Sequence, residues 1–275
     1  MHFDAPTPAG GREPFTVECT PGPSSVFAIG ETPVRCTATD ADMARASCDF
    51  GVAVRVSRTV AKTKFVAFGD SITQGQVSPA ASFTIVEPLE SYPYKLQQIL
   101  RNQYPAQEMV VINSGFGGET TARGLARLPA VLDAERPDVL LLQEGTNGLL
   151  PSTLGGRVNN LRSMVALARA RNIKVVLANL LPVRSPHTDA RPTKPDAVID
   201  FNRRLVSIAG EFDIGPPLDL YSIFIANPEL IGVDGLHPTR DGYTRIAEAF
   251  RDEVVRRYDG KATTSLGFST MGRPR

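Results

Sequence analysis

Lys64-Phe-Val-Ala-Phe-Gly-Asp-Ser-Ile-Thr73 is the stretch that decides the fold. Phe65 to Phe68 is an unbroken apolar run, the pattern of a strand buried on both faces of a parallel sheet. Gly69 lets the chain turn at the strand's C-terminal edge. Asp70 and Ser71 then stand where open α/β sheets place their ligands. Asp and Ser also favour turns and helix N-caps. The tripeptide alone therefore assigns no chemistry, and the rest of the chain has to decide.

Downstream, strand and helix alternate, the signature of a parallel α/β sheet. Strands are predicted at Met109 to Ile112, Val139 to Leu142 and Ile173 to Ala178, with a short last strand within Pro217 to Ile225. Helices are predicted at Ser91 to Gln103, Thr120 to Glu135, Gly156 to Arg171, Asp196 to Phe212 and Thr239 to Tyr258. In the third of these, Leu161, Met164, Val165 and Ala168 share one face. Ser78 to Glu90 is polar and irregular, either a substrate loop or a simple connection.

Upstream the pattern is β. Residues 1–14 are rich in Pro and Gly and read as flexible. Phe15 to Thr20, Pro33 to Asp40 and Ala46 to Ser57 read as strands, the last with Val52, Val54 and Val56 in alternation. Residues 259–275 are polar and read as a disordered tail.

The chain of 275 residues is long enough for a large core in one domain or two. Thirty basic against 29 acidic residues give no electrostatic case for nucleic acid or an anionic membrane. No apolar run approaches the length of a membrane span. The first residues have neither the basic end nor the apolar centre of a signal peptide. The three cysteines, Cys19, Cys36 and Cys48, fall within the first fifty residues. They suggest either one disulfide and an oxidising compartment or three free thiols. No Cys-x-x-Cys pair or other metal-ligand cluster appears.

Polar groups recur at the ends of the predicted strands. Gly69-Asp-Ser71 ends the first, Asn113-Ser-Gly-Phe-Gly-Gly118 the second and Gly145-Thr-Asn147 the third, while Asp234-Gly-Leu-His237-Pro238 precedes the last helix. Converging on one sheet edge, they form a site. Ser71 suits a nucleophile, which needs a base. Of the three histidines, His2 lies in the Pro/Gly-rich start. His187 sits in a generic polar loop with Asp189. His237 has Asp234 three residues upstream to orient it, and it is the favoured base. The Ser71 N–H, the Gly118 N–H and the Asn147 amide are candidate donors to an oxyanion.

Together these blocks resemble the SGNH hydrolases, or GDSL esterase/lipase family, over about residues 63–258. Ile72 stands where the family name has Leu. The resemblance implies a flavodoxin-like three-layer α/β/α fold with a parallel sheet, Ser71, Asp234 and His237 as catalytic triad, and Ser71, Gly118 and Asn147 as oxyanion hole. No glycine-rich phosphate loop with lysine and no metal-ligand cluster appears in the sequence, so a hydrolase without cofactor or metal is expected. The third block departs from the family at Gly148, where a second acidic residue is usual, and this puts the hydrogen bonding of that loop in question. The upstream stretch Val34-Arg-Cys-Thr-Ala-Thr-Asp with Ala46-Ser-Cys-Asp-Phe resembles part of a hyalin-repeat (HYR) module, which implies a small immunoglobulin-like β domain. The expected organisation is 1–14 flexible, 15–60 partial module, 61–258 hydrolase and 259–275 tail. The expected activity is a serine esterase acting on short-chain carboxylic esters of small molecules or polysaccharides, secreted or periplasmic, with no nucleic-acid partner and no membrane span. Acetylesterase, lysophospholipase and thioesterase activities all occur in the family. The competing expectation is an adhesion or carbohydrate-binding protein with an inactive hydrolase domain.

Overall fold

The computed structural model describes residues 2–80, 83–184, 193–260 and 263–270. The chain divides into two compact units, one of Met1–Thr59 with Lys261–Arg275 and one of Val60–Gly260.

The first unit opens with strands β1 (Thr16–Thr20), β2 (Gly30–Thr39) and β3 (Arg45–Ser57), which pair antiparallel in that order. Its small core gathers Val34, Cys36 and Val52 with Phe3, which is only 3% exposed. The Phe3 ring meets Phe50 edge-on at 5.3 Å between centroids. An aromatic group buried this far contributes more than the Pro/Gly composition suggests, so residue 3 is anchored where the sequence predicts a flexible start. Cys19 and Cys36 stand directly opposite on β1 and β2 and are joined in a disulfide, while Cys48 is free and exposed.

The second unit is built on strands β4 (Lys64–Gly69), followed at once by the single-turn helix α1 (Ser71–Gln74), and then β5 (Gln76–Ala80) and β6 (Phe83–Val86). Helix α2 (Tyr92–Gln103), β7 (Val110–Gly115), α3 (Thr121–Glu135), β8 (Val139–Gln143), α4 (Leu154–Ala170), β9 (Lys174–Leu177), α5 (Pro195–Glu211), α6 (Leu220–Ala226) and α7 (Arg240–Tyr258) follow. The sheet order is β7-β4-β8-β9, every pair parallel.

Alternation along these strands sorts the core into two layers. Val66, Phe68, Leu140, Leu142, Val175 and Leu177 face α3, α4 and α5, among them Leu128, Leu161 and Phe201. Phe65, Ala67, Val111, Leu141 and Val176 face α2, α6 and α7, among them Leu96, Phe224 and Phe250. The result is a three-layer α/β/α unit. Because β4 lies between β7 and β8, the ends of these three strands meet at one edge.

Three expectations are corrected. Ser78 to Glu90 is not irregular throughout, since β5 and β6 form an antiparallel hairpin with Val77 opposite Ile85. β-branched and aromatic residues at Val77, Phe83, Thr84, Ile85 and Val86 explain it. The short last strand within Pro217 to Ile225 is reduced to one bridge, Ala178 to Leu218, before α6 begins. Asp219 caps that helix, its carboxylate accepting the Ser222 N–H at 3.0 Å, and so ends the extended segment. The tail is not disordered from residue 259, because β10 (Thr263–Thr270) pairs antiparallel with β3 in the first unit. Thr-Thr-Ser-Leu-Gly-Phe-Ser-Thr carries enough strand-forming residues to add to an open edge. Among the described residues, no helix is long and apolar enough to cross a membrane.

Candidate active site

Ser71, Gly118 and Asn147 sit in the turns that follow β4, β7 and β8, and Asp234 and His237 in the turn before α7. β4 runs into Asp70, whose side chain caps α1 by accepting the Ile72 N–H at 3.1 Å. That cap places Ser71 at the first position of the turn, 4% exposed. Gly69 is required here, since a Cβ would stand 1.9 Å from the Gln143 carbonyl oxygen of β8.

The second oxygen of Asp70 accepts the Thr146 N–H at 3.2 Å, so one carboxylate ties the Ser71 turn to the Gly145–Asn147 turn. Burial pushes its pKa up, while the Ile72 and Thr146 N–H groups oppose that rise.

His237 and Asp234 come from the turn before α7. Asp234 Oδ1 accepts the N–H groups of Leu236 and His237, both at 3.0 Å, which folds the turn back on itself through Gly235 at φ +75°. Asp234 Oδ2 lies 2.6 Å from His237 Nδ1, and His237 Nε2 lies 2.9 Å from Ser71 Oγ. Burial works against the charge of Asp234, but the imidazole and the two backbone N–H groups outweigh it, and its pKa stays below the usual value. An ionised carboxylate only accepts. Nδ1 therefore carries the imidazole hydrogen, and Nε2 presents its lone pair to the Ser71 hydroxyl. The His237 and Asp234 side chains are 8% and 6% exposed, so little water competes with this chain of hydrogen bonds.

The second and third blocks close on the same turn. The Phe116 N–H donates to the Gly69 carbonyl at 2.9 Å, bringing the Gly115–Gly118 arc against the end of β4. Gly118 holds φ +67° within that arc. The Asn147 amide donates to the Glu119 carbonyl at 2.9 Å, which fixes its plane and leaves its second N–H directed elsewhere.

The loop after Asn147 keeps its shape without an acidic residue at 148. Gly148 takes φ +63°. The Thr153 hydroxyl bonds the Leu150 N–H at 3.0 Å and the Gly148 carbonyl at 3.3 Å. The Thr193 hydroxyl donates to the Thr146 carbonyl and accepts the Leu149 N–H. Two threonines thus hold the backbone.

Ser71 and Asp234 are therefore linked through His237, with Gly118 and Asn147 on segments bonded to the Ser71 turn. His187 and Asp189 lie outside the described residues. Three charged groups around the site, Glu119, Arg127 and Glu144, carry no sequence signal of their own. Asp70 differs, since a turn or helix N-cap is what its sequence context suggests and it caps α1. The signal that finds the two glutamates is burial, since Glu119 is 2% and Glu144 1% exposed. Neither oxygen of Glu144 has a hydrogen-bond partner. Burial raises its pKa well above the usual value, and the nearby Asp70 and Glu119 carboxylates add to the rise.

Residues 67–245 match the model of the GDSL-like Lipase/Acylhydrolase family. An arylesterase of Vibrio mimicus is 29% identical over 210 residues, 71% of this chain and 90% of that protein. The thioesterase 1/protease 1/lysophospholipase L1 of Escherichia coli is 26% identical over 193 residues, 70% of this chain and 83% of that protein. The crystal structure of a lipase/acylhydrolase from Enterococcus faecalis superposes with a TM-score of 0.59 at 25% identity, covering 72% of this chain and 98% of that one. A parallel α/β unit with a Gly-Asp-Ser turn at its sheet edge and a family match over residues 67–245 of it place this chain in the GDSL-like lipase/acylhydrolase family of ester-hydrolysing enzymes.

Proposed function

We propose that the protein is a serine esterase working through an acyl-enzyme, with Ser71 as nucleophile, His237 as base and Asp234 as its orienting partner. The observation that carries this reading is the unbroken chain from Ser71 Oγ through His237 to Asp234, at 2.9 and 2.6 Å. The Ser71 hydroxyl attacks the ester carbonyl as its proton passes to Nε2. Asp234 stabilises the imidazolium that forms. The tetrahedral oxyanion is met by the N–H groups of Ser71 and Gly118 and the side-chain amide of Asn147. His237 then returns the proton to the leaving alcohol, and water frees the acid by the same route.

The substrates we propose are short-chain esters of small molecules or polysaccharides. We read the N-terminal unit as an immunoglobulin-like module similar to part of a hyalin repeat, serving to target the enzyme to a polymer. The Cys19–Cys36 disulfide supports an oxidising location, secreted or periplasmic.

The test is hydrolysis of p-nitrophenyl acetate, butyrate and octanoate by the wild type and by Ser71→Ala. Turnover of the acetate and butyrate that vanishes in the variant is expected. Equal turnover by both proteins overturns the assignment, and no turnover by the wild type leaves either an esterase with a narrow natural substrate or a binding protein with an inactive hydrolase unit.

A further inference from the structure

Arg127 lies on the second turn of α3, outside the four sequence blocks, and its guanidinium meets Ser114 of the second block together with Glu119 and Phe68, which flank the second and first blocks. Its Nε donates to Glu119 Oε1 at 3.1 Å and its Nη2 to Glu119 Oε2 at 2.5 Å. Its Nη1 donates to Ser114 Oγ at 2.9 Å, and Nη2 also reaches the Ser114 carbonyl at 3.0 Å. Its plane lies over the Phe68 ring, 4.0 Å from the centroid. Phe68 is the last side chain of β4 before Gly69-Asp-Ser71.

The geometry follows the chain. Ser114 and Glu119 are the two ends of the arc that contains Gly118. One planar fork grips both ends, so the span of the arc, and with it the direction of the Gly118 N–H, is set by a rigid group. The Glu119 carbonyl at the far end is the acceptor that fixes the Asn147 amide. Holding Glu119 therefore holds a second donor, one on a different strand end. Stacking on Phe68 ties the same group to the strand that carries the Ser71 turn.

We propose that Arg127 is a positioning residue for the oxyanion hole, a clamp that sets the spacing of the Gly118 and Asn147 donors without touching the substrate. The proposal rests on the esterase reading above and deepens it. Two separable properties of Arg127 are involved. Its charge balances the buried Glu119 in a region that also holds Asp70 and Glu144. Its fork sets the geometry. Lysine keeps the charge and loses the fork.

Arg127→Lys is therefore the first variant, assayed with p-nitrophenyl acetate beside the wild type and Ser71→Ala. A displaced donor loses its effect on the transition state more than on the bound ester, so kcat is expected to fall by about tenfold to a hundredfold with KM within about twofold. Phenylboronic acid, which forms a tetrahedral adduct on a catalytic serine, provides the second readout. Its inhibition constant is expected to rise by a factor comparable to the loss in kcat. A residue that only stabilised the fold would lower the melting temperature and leave both quantities of the folded enzyme unchanged. Arg127→Met with Glu119→Gln removes the charge pair together, so folding does not depend on a buried unpaired acid, and it is expected to show the same paired loss. The clamp is overturned if either folded variant keeps wild-type kcat and boronate affinity, or if the loss falls on KM. Wild-type turnover by Ser71→Ala is the separate outcome that overturns the esterase reading itself, and the clamp's role with it.

Discussion

At the scale of single residues, buried charge decides what the site can tolerate. Glu144 gives the sharpest case. Burial raises its pKa well above the usual value, helped by the charges of Asp70 and Glu119, and neither carboxyl oxygen has a partner. The sign follows from linkage. The folded state holds a proton that the unfolded chain releases above its ordinary pKa. Folding stability therefore falls as pH rises from that ordinary value towards the folded one, by about 1.4 kcal/mol per pH unit where only the unfolded state titrates. Glu144→Gln removes that loss. It is expected to melt higher than the wild type at neutral pH, with the gap closing towards the ordinary glutamate pKa in thermal scans across pH. A gap independent of pH would contradict the assignment. Asn147→Ala loses one oxyanion donor and is expected to cut kcat by roughly a hundredfold or more, read in steady-state kinetics. The sequence made Ser71, Asp234 and His237 legible, because Ser71 follows an apolar strand and Asp234 stands three residues before His237 ahead of a helix. Glu119, Arg127 and Glu144 were not, because a charged residue reads the same buried or solvated until its neighbours are known.

At the scale of elements, local signals and tertiary context separate cleanly. The apolar runs of β4, β8 and β9 and the periodic face of α4 were readable because both faces of the sheet are covered, so pattern and burial agree. The segment around Leu218 was not. Its apolar residues suit a strand, and the Asp219 cap turns them into α6 instead. Asp219→Ala is expected to cost about 1 kcal/mol of stability through that cap, measured by urea unfolding of the whole chain. The loop at Gly148 shows the converse. An acidic residue usual in this family is absent, and Thr153 and Thr193 supply the bonds from other elements. Thr153→Val is expected to lower kcat severalfold by loosening the turn that carries Asn147. Unchanged kcat would mean that Thr193 alone suffices.

At the scale of the whole molecule, two units carry separable loads. The Cys19–Cys36 bridge closes a separation of 17 residues within the first unit, and a loop of that size is worth about 3 kcal/mol in the unfolded chain. Mild reductant is expected to destabilise that unit in differential scanning calorimetry while ester turnover continues, because every proposed catalytic group belongs to Val60–Gly260. β10 returns from the far end of the chain to pair with β3, and long-range pairing of this kind leaves no local signal in the sequence. The central claim is a covalent acyl-enzyme on Ser71. Its most direct measurement is rapid quench of equimolar protein and p-nitrophenyl acetate, followed by intact-mass analysis and peptide mapping. One acetyl group on the peptide carrying Ser71, absent in Ser71→Ala, is the result predicted. An acetyl group on another residue, or turnover with no adduct on Ser71 in the wild type and none lost in Ser71→Ala, would contradict it.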